Sequence, residues 1–117
     1  MALRWLIYGA NGYSGKLIAR KAVARGYHPV LAGRNKSEIE HIAGALELQH
    51  RIFSLSDPSH VKQQLHDVDL VINCAGPFSK TAAPLIQACI STTTHYLDIT
   101  GEIDVFEYAH SQSEAAK

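Results

Sequence analysis

Gly9-Ala10-Asn11-Gly12-Tyr13-Ser14-Gly15 constrains this chain more than any other stretch. The glycines recur at every third position, directly after the compact apolar run Trp5–Tyr8. A run of that length ending at glycine reads as a buried strand. Residues 14–25 follow with an amphipathic pattern, Leu17, Ile18 and Ala22 facing one way and Lys16 and Arg20 another, and Gly26 reads as the cap that ends a helix. The order is therefore strand, tight glycine turn, helix. Gly9 lets the chain leave the strand sharply. Gly12 lets backbone N–H groups approach a ligand phosphate with no Cβ in the way. Gly15 lets the helix pack closely on the strand, and the phosphate then lies at the positive end of the helix dipole.

The rest of the chain repeats the alternation. Strands are expected at residues 29–32, 51–55, 70–74 and 95–99. A second helix is expected to start at Ser37, where Ser37 and Glu40 have capping-box spacing, with Ile39, Ile42, Ala43 and Leu46 as its apolar stripe. Asp57-Pro58 opens a third helix, with Asp57 as cap and Val61 and Leu65 facing inward. Gly76-Pro77 breaks the fourth strand, Pro84 suits the first turn of a helix running to about Ile90, and residues from Ile103 onward read as helical. Strict alternation implies an α/β fold: a single doubly wound parallel sheet with helices on both faces, for which strand order 3-2-1-4-5 is expected. Ligands in such sheets bind at the carboxyl ends of the strands.

Composition removes other classes. The 117 residues are 46% hydrophobic and 19% charged, enough for a real core without metal or disulfide staples. Eleven basic and eleven acidic residues balance, so nothing argues for nucleic acid or an anionic membrane as partner. Cys74 and Cys89 form no Cys-x-x-Cys motif, and the opening residues are too short an apolar run for a signal or a membrane span. The cytoplasm is the expected compartment. A phosphate-binding P-loop fails, because Gly15-Lys16 is followed by Leu17 and no glycine lies five residues before Gly15. The seven histidines lack ligand spacing, and no metal is expected.

In its context the glycine loop resembles that of Rossmann NAD(P)-binding domains. NAD sites usually carry Asp or Glu at the end of the second strand for the ribose 2′-hydroxyl. This chain has Gly33-Arg34-Asn35-Lys36-Ser37 there, with no carboxylate until Glu38. An Arg guanidinium pairs with a 2′-phosphate and a carboxylate repels it, so NADP is expected rather than NAD.

Four stretches together are similar to the N-terminal cofactor domain of the saccharopine dehydrogenase-like family, including its trans-acting enoyl reductase branch. They are Tyr8 to Gly15, Leu31-Ala32-Gly33-Arg34-Asn35, Asn73-Cys74-Ala75-Gly76-Pro77-Phe78, and His95-Tyr96-Leu97-Asp98-Ile99-Thr100-Gly101-Glu102. The resemblance implies that the loop from Cys74 to Phe78 passes near the ribose and nicotinamide, and that the segment from Asp98 to Glu102 borders the substrate cleft. Similar proteins often carry Asp directly after the third strand, where this chain has Ser54, with Asp57 three residues on. The expected cofactor contacts are Gly9, Asn11, Gly12, Tyr13, Ser14, Gly15, Arg34, Cys74, Ala75, Gly76 and Pro77.

The resemblance further implies an NADP-dependent oxidoreductase. Residues 1–117 would be the N-terminal part of a longer two-domain protein, whose second domain brings the small-molecule substrate and often a homo-oligomer contact; the chain alone would be inactive. A non-catalytic NADP(H)-sensing module is the alternative, since one fold hosts both. Short-chain dehydrogenase chemistry is not expected: Tyr13 is followed four residues on by Leu17 and Tyr96 by Thr100, where a Lys would be needed. His95, Tyr96 and Asp98 form a polar cluster in sequence, but alternation puts His95 and Tyr96 on opposite faces. Cys74 reads as a small buried thiol rather than a nucleophile.

Overall fold

A computed structural model describes residues 3–76 and 78–98. The expected helix beyond Ile103 lies outside them. The described elements, in order, are β1 (Trp5–Tyr8), α1 (Tyr13–Ala24), β2 (Val30–Gly33), α2 (Lys36–Leu46), β3 (His50–Ile52), α3 (Pro58–Leu65), β4 (Leu70–Asn73), α4 (Phe78–Thr92) and β5 (His95–Asp98). The five strands form one parallel sheet in the order β3-β2-β1-β4-β5, as expected. β1 is central: Ile7 lies opposite Leu31 of β2 on one side and Ile72 of β4 on the other.

Alternation along the strands feeds two cores. Leu6 and Tyr8 of β1 point to the face covered by Val61 and Leu65 of α3 and Leu85, Ala88 and Cys89 of α4. Ile7 points to the opposite face, against Ala19 of α1 and Ile39, Ile42 and Ala43 of α2. With both faces covered, apolar residues run without interruption along the central strands. Among the described residues no helix is long and apolar enough to cross a membrane.

Several boundaries differ from the sequence expectation, each for a physical reason. α1 buries Gly15, Ala19 and Ala22, while Leu17 stays 44% exposed. The helix lies too close to the sheet for a larger residue on the buried stripe. α2 starts before Ser37: Asn35 caps it by accepting from the Glu38 N–H at 3.1 Å, and the Asn35 amide donates to Glu38 Oε2 at 2.8 Å. The cap therefore stands at Asn35, tied to Glu38 side chain to side chain, two residues before the expected Ser37 and Glu40. α4 begins at Phe78, so Pro84 lies inside it. Pro84 forfeits the bond to the carbonyl four residues back. Burial of its neighbours Ala82, Leu85 and Ile86 offsets that loss. Asp57 caps α3 as expected, accepting from Ser59 N–H at 3.0 Å.

Helices α1, α2 and α4 end on the same motif. After α1, Tyr27 N–H donates to Ala22 O and Gly26 N–H to Val23 O, with Gly26 at φ +86°. Glu47 and Thr93 hold the matching position after α2 and α4 with φ 57° each. A β-branched residue is poorly suited to that left-handed conformation. At the opposite end of the sheet from the strand exits, Asp67 accepts from Arg51 at 2.7 and 2.8 Å and from Arg4 at 2.8 Å. Arg51 also donates to the Gln64 carbonyl. The hydrogen-bonded Arg51 is the main reason the Asp67 carboxyl falls from 3.8 to about 2.

Two predictions follow from these contacts. Thr93 is exposed, so Thr93→Gly should relieve the left-handed strain and stabilise the fold by about 1 kcal/mol, less the entropy glycine adds to the unfolded chain. An unchanged or lower melting temperature would refute it. The Asp67 contribution has a depressed folded pKa, so it is fully present above pH 3.8 and is lost as pH falls towards 2. Discounted for solvent exposure, Asp67→Asn should cost about 1 kcal/mol at neutral pH and nothing below pH 2. Urea unfolding at several pH values measures both.

Candidate functional site

The carboxyl ends of β2, β1 and β4 open onto a cleft of about 670 Å³. The glycine loop forms its centre. Gly9 takes φ +82°, and a Cβ built there would come within 2.6 Å of the Ala75 nitrogen. Its N–H donates to Ala32 O at 2.7 Å, which ties the turn to the end of β2. A Cβ on Gly15 would collide with the Gly9 carbonyl and meet Ala10 Cα at 2.7 Å. Gly12 differs, for a Cβ there makes only ordinary contacts, with the Gly9 carbonyl at 3.5 Å and the Cys74 carbonyl at 4.0 Å, and its φ is −82°. Gly9 and Gly15 are thus required by close packing of the chain on itself, and Gly12 is not.

Gly12 is also the N-cap of α1. No side chain caps that helix and its first turn holds no acidic residue, whereas Asn35 and Asp57 cap α2 and α3. The first N–H groups of a helix need a partner, and an anion can supply it. Asn11 beside them donates to Glu38 Oε1 at 3.3 Å. Arg34, exposed at the end of β2, lines the cleft together with Asn35. It lies near enough to Tyr8 to oppose the effect of burial on that phenol, which is still pushed up to about 12. Tyr8 donates to the Phe53 carbonyl at 2.9 Å and sits against the Phe53 ring, 5.1 Å between centroids.

On the far side of the loop, Cys74, Ala75 and Gly76 leave β4 and line the cleft. Burial pushes the Cys74 thiol up to about 11, so it is protonated at neutral pH and a poor nucleophile. Asn73, fully buried, bonds to Thr81, Tyr96 and the Ala75 N–H. Tyr96 in turn donates to Asp98 Oδ2 at 3.0 Å, and burial holds its phenol well above the ordinary range. His95 is exposed, on the other face of β5 from Tyr96, as alternation requires.

Of the residues expected at the site, Gly9, Asn11, Gly12, Arg34, Cys74, Ala75 and Gly76 line this one cleft. Tyr13, Ser14 and Gly15 do not line it; they form the first turn of α1, with the Tyr13 side chain 86% exposed and Gly15 packed inward. Pro77 lies outside the described residues, as does the segment from Ile99 to Glu102. The cleft also takes in Tyr8, Ser54, Leu55, Ser56, Lys80 and Thr81. None of these was expected to contact a ligand. The one available signal was Ser54, already noted as standing where similar proteins carry Asp. No carboxylate occurs among the described residues that line the cleft.

Residues 5–117 match the model of the saccharopine dehydrogenase NADP-binding domain. The chain belongs to that family and is an NADP-binding domain of it. It is 32% identical over 108 residues to the trans-acting enoyl reductase of Mycobacterium leprae, covering 84% of this chain and 25% of that protein. Against the saccharopine dehydrogenase-like oxidoreductase of Mus musculus it is 26% identical over 126 residues, covering 92% and 29%. Its fold superposes on apo saccharopine dehydrogenase (L-Glu forming) from Saccharomyces cerevisiae with a TM-score of 0.82 at 16% identity, over 98% of this chain and 25% of that one. The chain thus spans about a quarter of the length of the relatives it matches.

The glycines should separate on substitution. Gly9→Ala and Gly15→Ala should each destabilise the fold by about 2 kcal/mol or more, through overpacking against backbone and, at Gly9, positive φ. Gly12→Val should fold with near-normal stability. Thermal unfolding of the three variants checks this; a Gly12→Val variant as unstable as the other two would overturn the distinction.

Proposed function

We propose that this cleft holds NADP(H) across the ends of β2, β1 and β4, and that the chain is the cofactor half of a two-domain oxidoreductase. The observation that carries the reading is electrostatic. A cleft with no carboxylate among its described lining residues has Arg34 at one end and the uncapped start of α1 at its centre. The backbone from Gly9 through Asn11 and Gly12 to Tyr13, Ser14 and Gly15 would hold the diphosphate, and Arg34 the 2′-phosphate. Cys74, Ala75, Gly76 and Pro77 would border the nicotinamide half. When bound, the cofactor supplies or accepts a hydride; the chain binds and orients it and excludes water from one side.

A small-molecule substrate would meet the cofactor through a second domain. Support comes from relatives about four times longer than the matched stretch, which are named as reductases and oxidoreductases. Those names also favour an enzyme over a sensing module. The homo-oligomer belongs to the same proposal. Two buried free thiols, Cys74 and Cys89, accord with a reducing compartment such as the cytoplasm.

Arg34 carries the test. The wild-type chain should prefer NADPH to NADH by roughly ten- to a hundredfold, the worth of one charge-assisted hydrogen bond. Arg34→Ala should lose most of that preference by weakening NADPH, and Gly12→Val should lose both cofactors while remaining folded. Fluorescence titration with each cofactor decides it; equal wild-type affinities for the two would sink the role given to Arg34.

A further inference from the structure

We propose that Asn73 is a positioning residue: held by Tyr96 and Thr81, it fixes the Ala75 peptide and so sets affinity for the nicotinamide half of the dinucleotide. The inference rests on the reading that the cleft holds NADP(H).

Asn73 is the last residue of β4, paired in register with Tyr8 of β1 and Asp98 of β5, and has no exposed surface. The rest of β4, Leu70 to Ile72, is apolar. A buried amide among apolar strands costs stability unless its polar atoms are paired. Here both ends are used. Nδ2 donates to Thr81 Oγ1 at 3.0 Å and to the Tyr96 hydroxyl at 3.1 Å. Oδ1 accepts the Ala75 N–H at 3.0 Å. Thr81 Oγ1 then donates to the Ala75 carbonyl at 2.8 Å. Two side chains thus hold one residue of the loop by both its backbone groups. Tyr96 completes the chain of bonds by donating to Asp98.

The held residue is the one that matters for the cleft. Ala75 lines it, and lies so close to Gly9 that no side chain fits between them. The sheet order sets the ends of β2, β1 and β4 in a row. A dinucleotide pinned at Arg34 and crossing the glycine loop reaches its other half at Ala75. Loosening Ala75 should therefore weaken that half and spare the adenine half, which the ends of β2 and β1 hold. A network that served stability alone would affect both halves equally.

Tyr96→Phe is the mild test, since it removes one hydroxyl from a residue that does not line the cleft. Asn73→Ala is the stronger one, since it releases the Ala75 N–H. Each is made in the 117-residue chain, its folding checked by circular dichroism, and titrated with NADPH and with 2′,5′-ADP, which carries the adenine half alone. NADPH affinity should fall about three- to tenfold in Tyr96→Phe, the worth of one hydrogen bond, and further in Asn73→Ala, with 2′,5′-ADP within about twofold of wild type. Equal losses for both ligands, or no loss of NADPH affinity in either variant, would overturn the proposal. If the wild-type chain bound neither ligand, the cofactor reading itself would fall, and that result is distinct because it precedes any substitution.

Discussion

The close approach of Gly9 to Ala75 governs the carboxyl end of this sheet. β1 and β4 are neighbours in register, so their exits must pass each other in the space of one strand separation. One exit turns at positive φ, and the Gly9 carbonyl then sits where only Gly15 can pack beneath it. From that contact follow the direction of α1, the position of its uncapped first turn, and the floor of the cleft. Ala10 and Ala19, both fully buried, show how little room is left between helix and sheet.

Much of this was legible in the residues because the signals were local. An apolar run followed by a turn and an amphipathic stretch can be read within a short window, and the alternation of five apolar runs with helical stretches implies the sheet. The strand order came from the likeness of the glycine loop to that of Rossmann domains. The start of α2 was harder, because Asn35 with Glu38 and Ser37 with Glu40 both have capping-box spacing. What decides between them is that β2 runs on to Gly33, which leaves Asn35 as the first residue able to cap. Pro84 misled for a similar reason. A proline marks a first turn only when nothing before it can form helix, and Phe78 to Ala83 can.

The contacts that complete the cleft were out of reach of any local signal. Nothing near Asn73 in sequence announces that its amide meets Tyr96, 23 residues later, and Thr81. Its polarity within an apolar strand was the only mark, and that mark says a partner exists without naming it. Likewise Ser54, Ser56 and Lys80 reach the cleft through the lateral order of the strands and the start of α4. That no carboxylate stands among the described lining residues is a property of the assembled set. Glu38, the nearest carboxylate after Arg34 in sequence, is engaged by Asn11 and Asn35.

The ion cluster on Asp67 stands at the other end of the molecule. It joins the entry to β1, the strand β3 and the turn before β4, all at the amino ends of the strands. The cleft and this part of the fold's cohesion therefore occupy opposite poles of one sheet, with the apolar layers between them. Changes distant from one another with no shared partners combine almost additively. Substitutions around Asp67 can accordingly retune the protein's tolerance of acid and salt without altering the cleft. A change at Arg34, in the cleft, likewise draws on none of the interactions that hold the strand entries together.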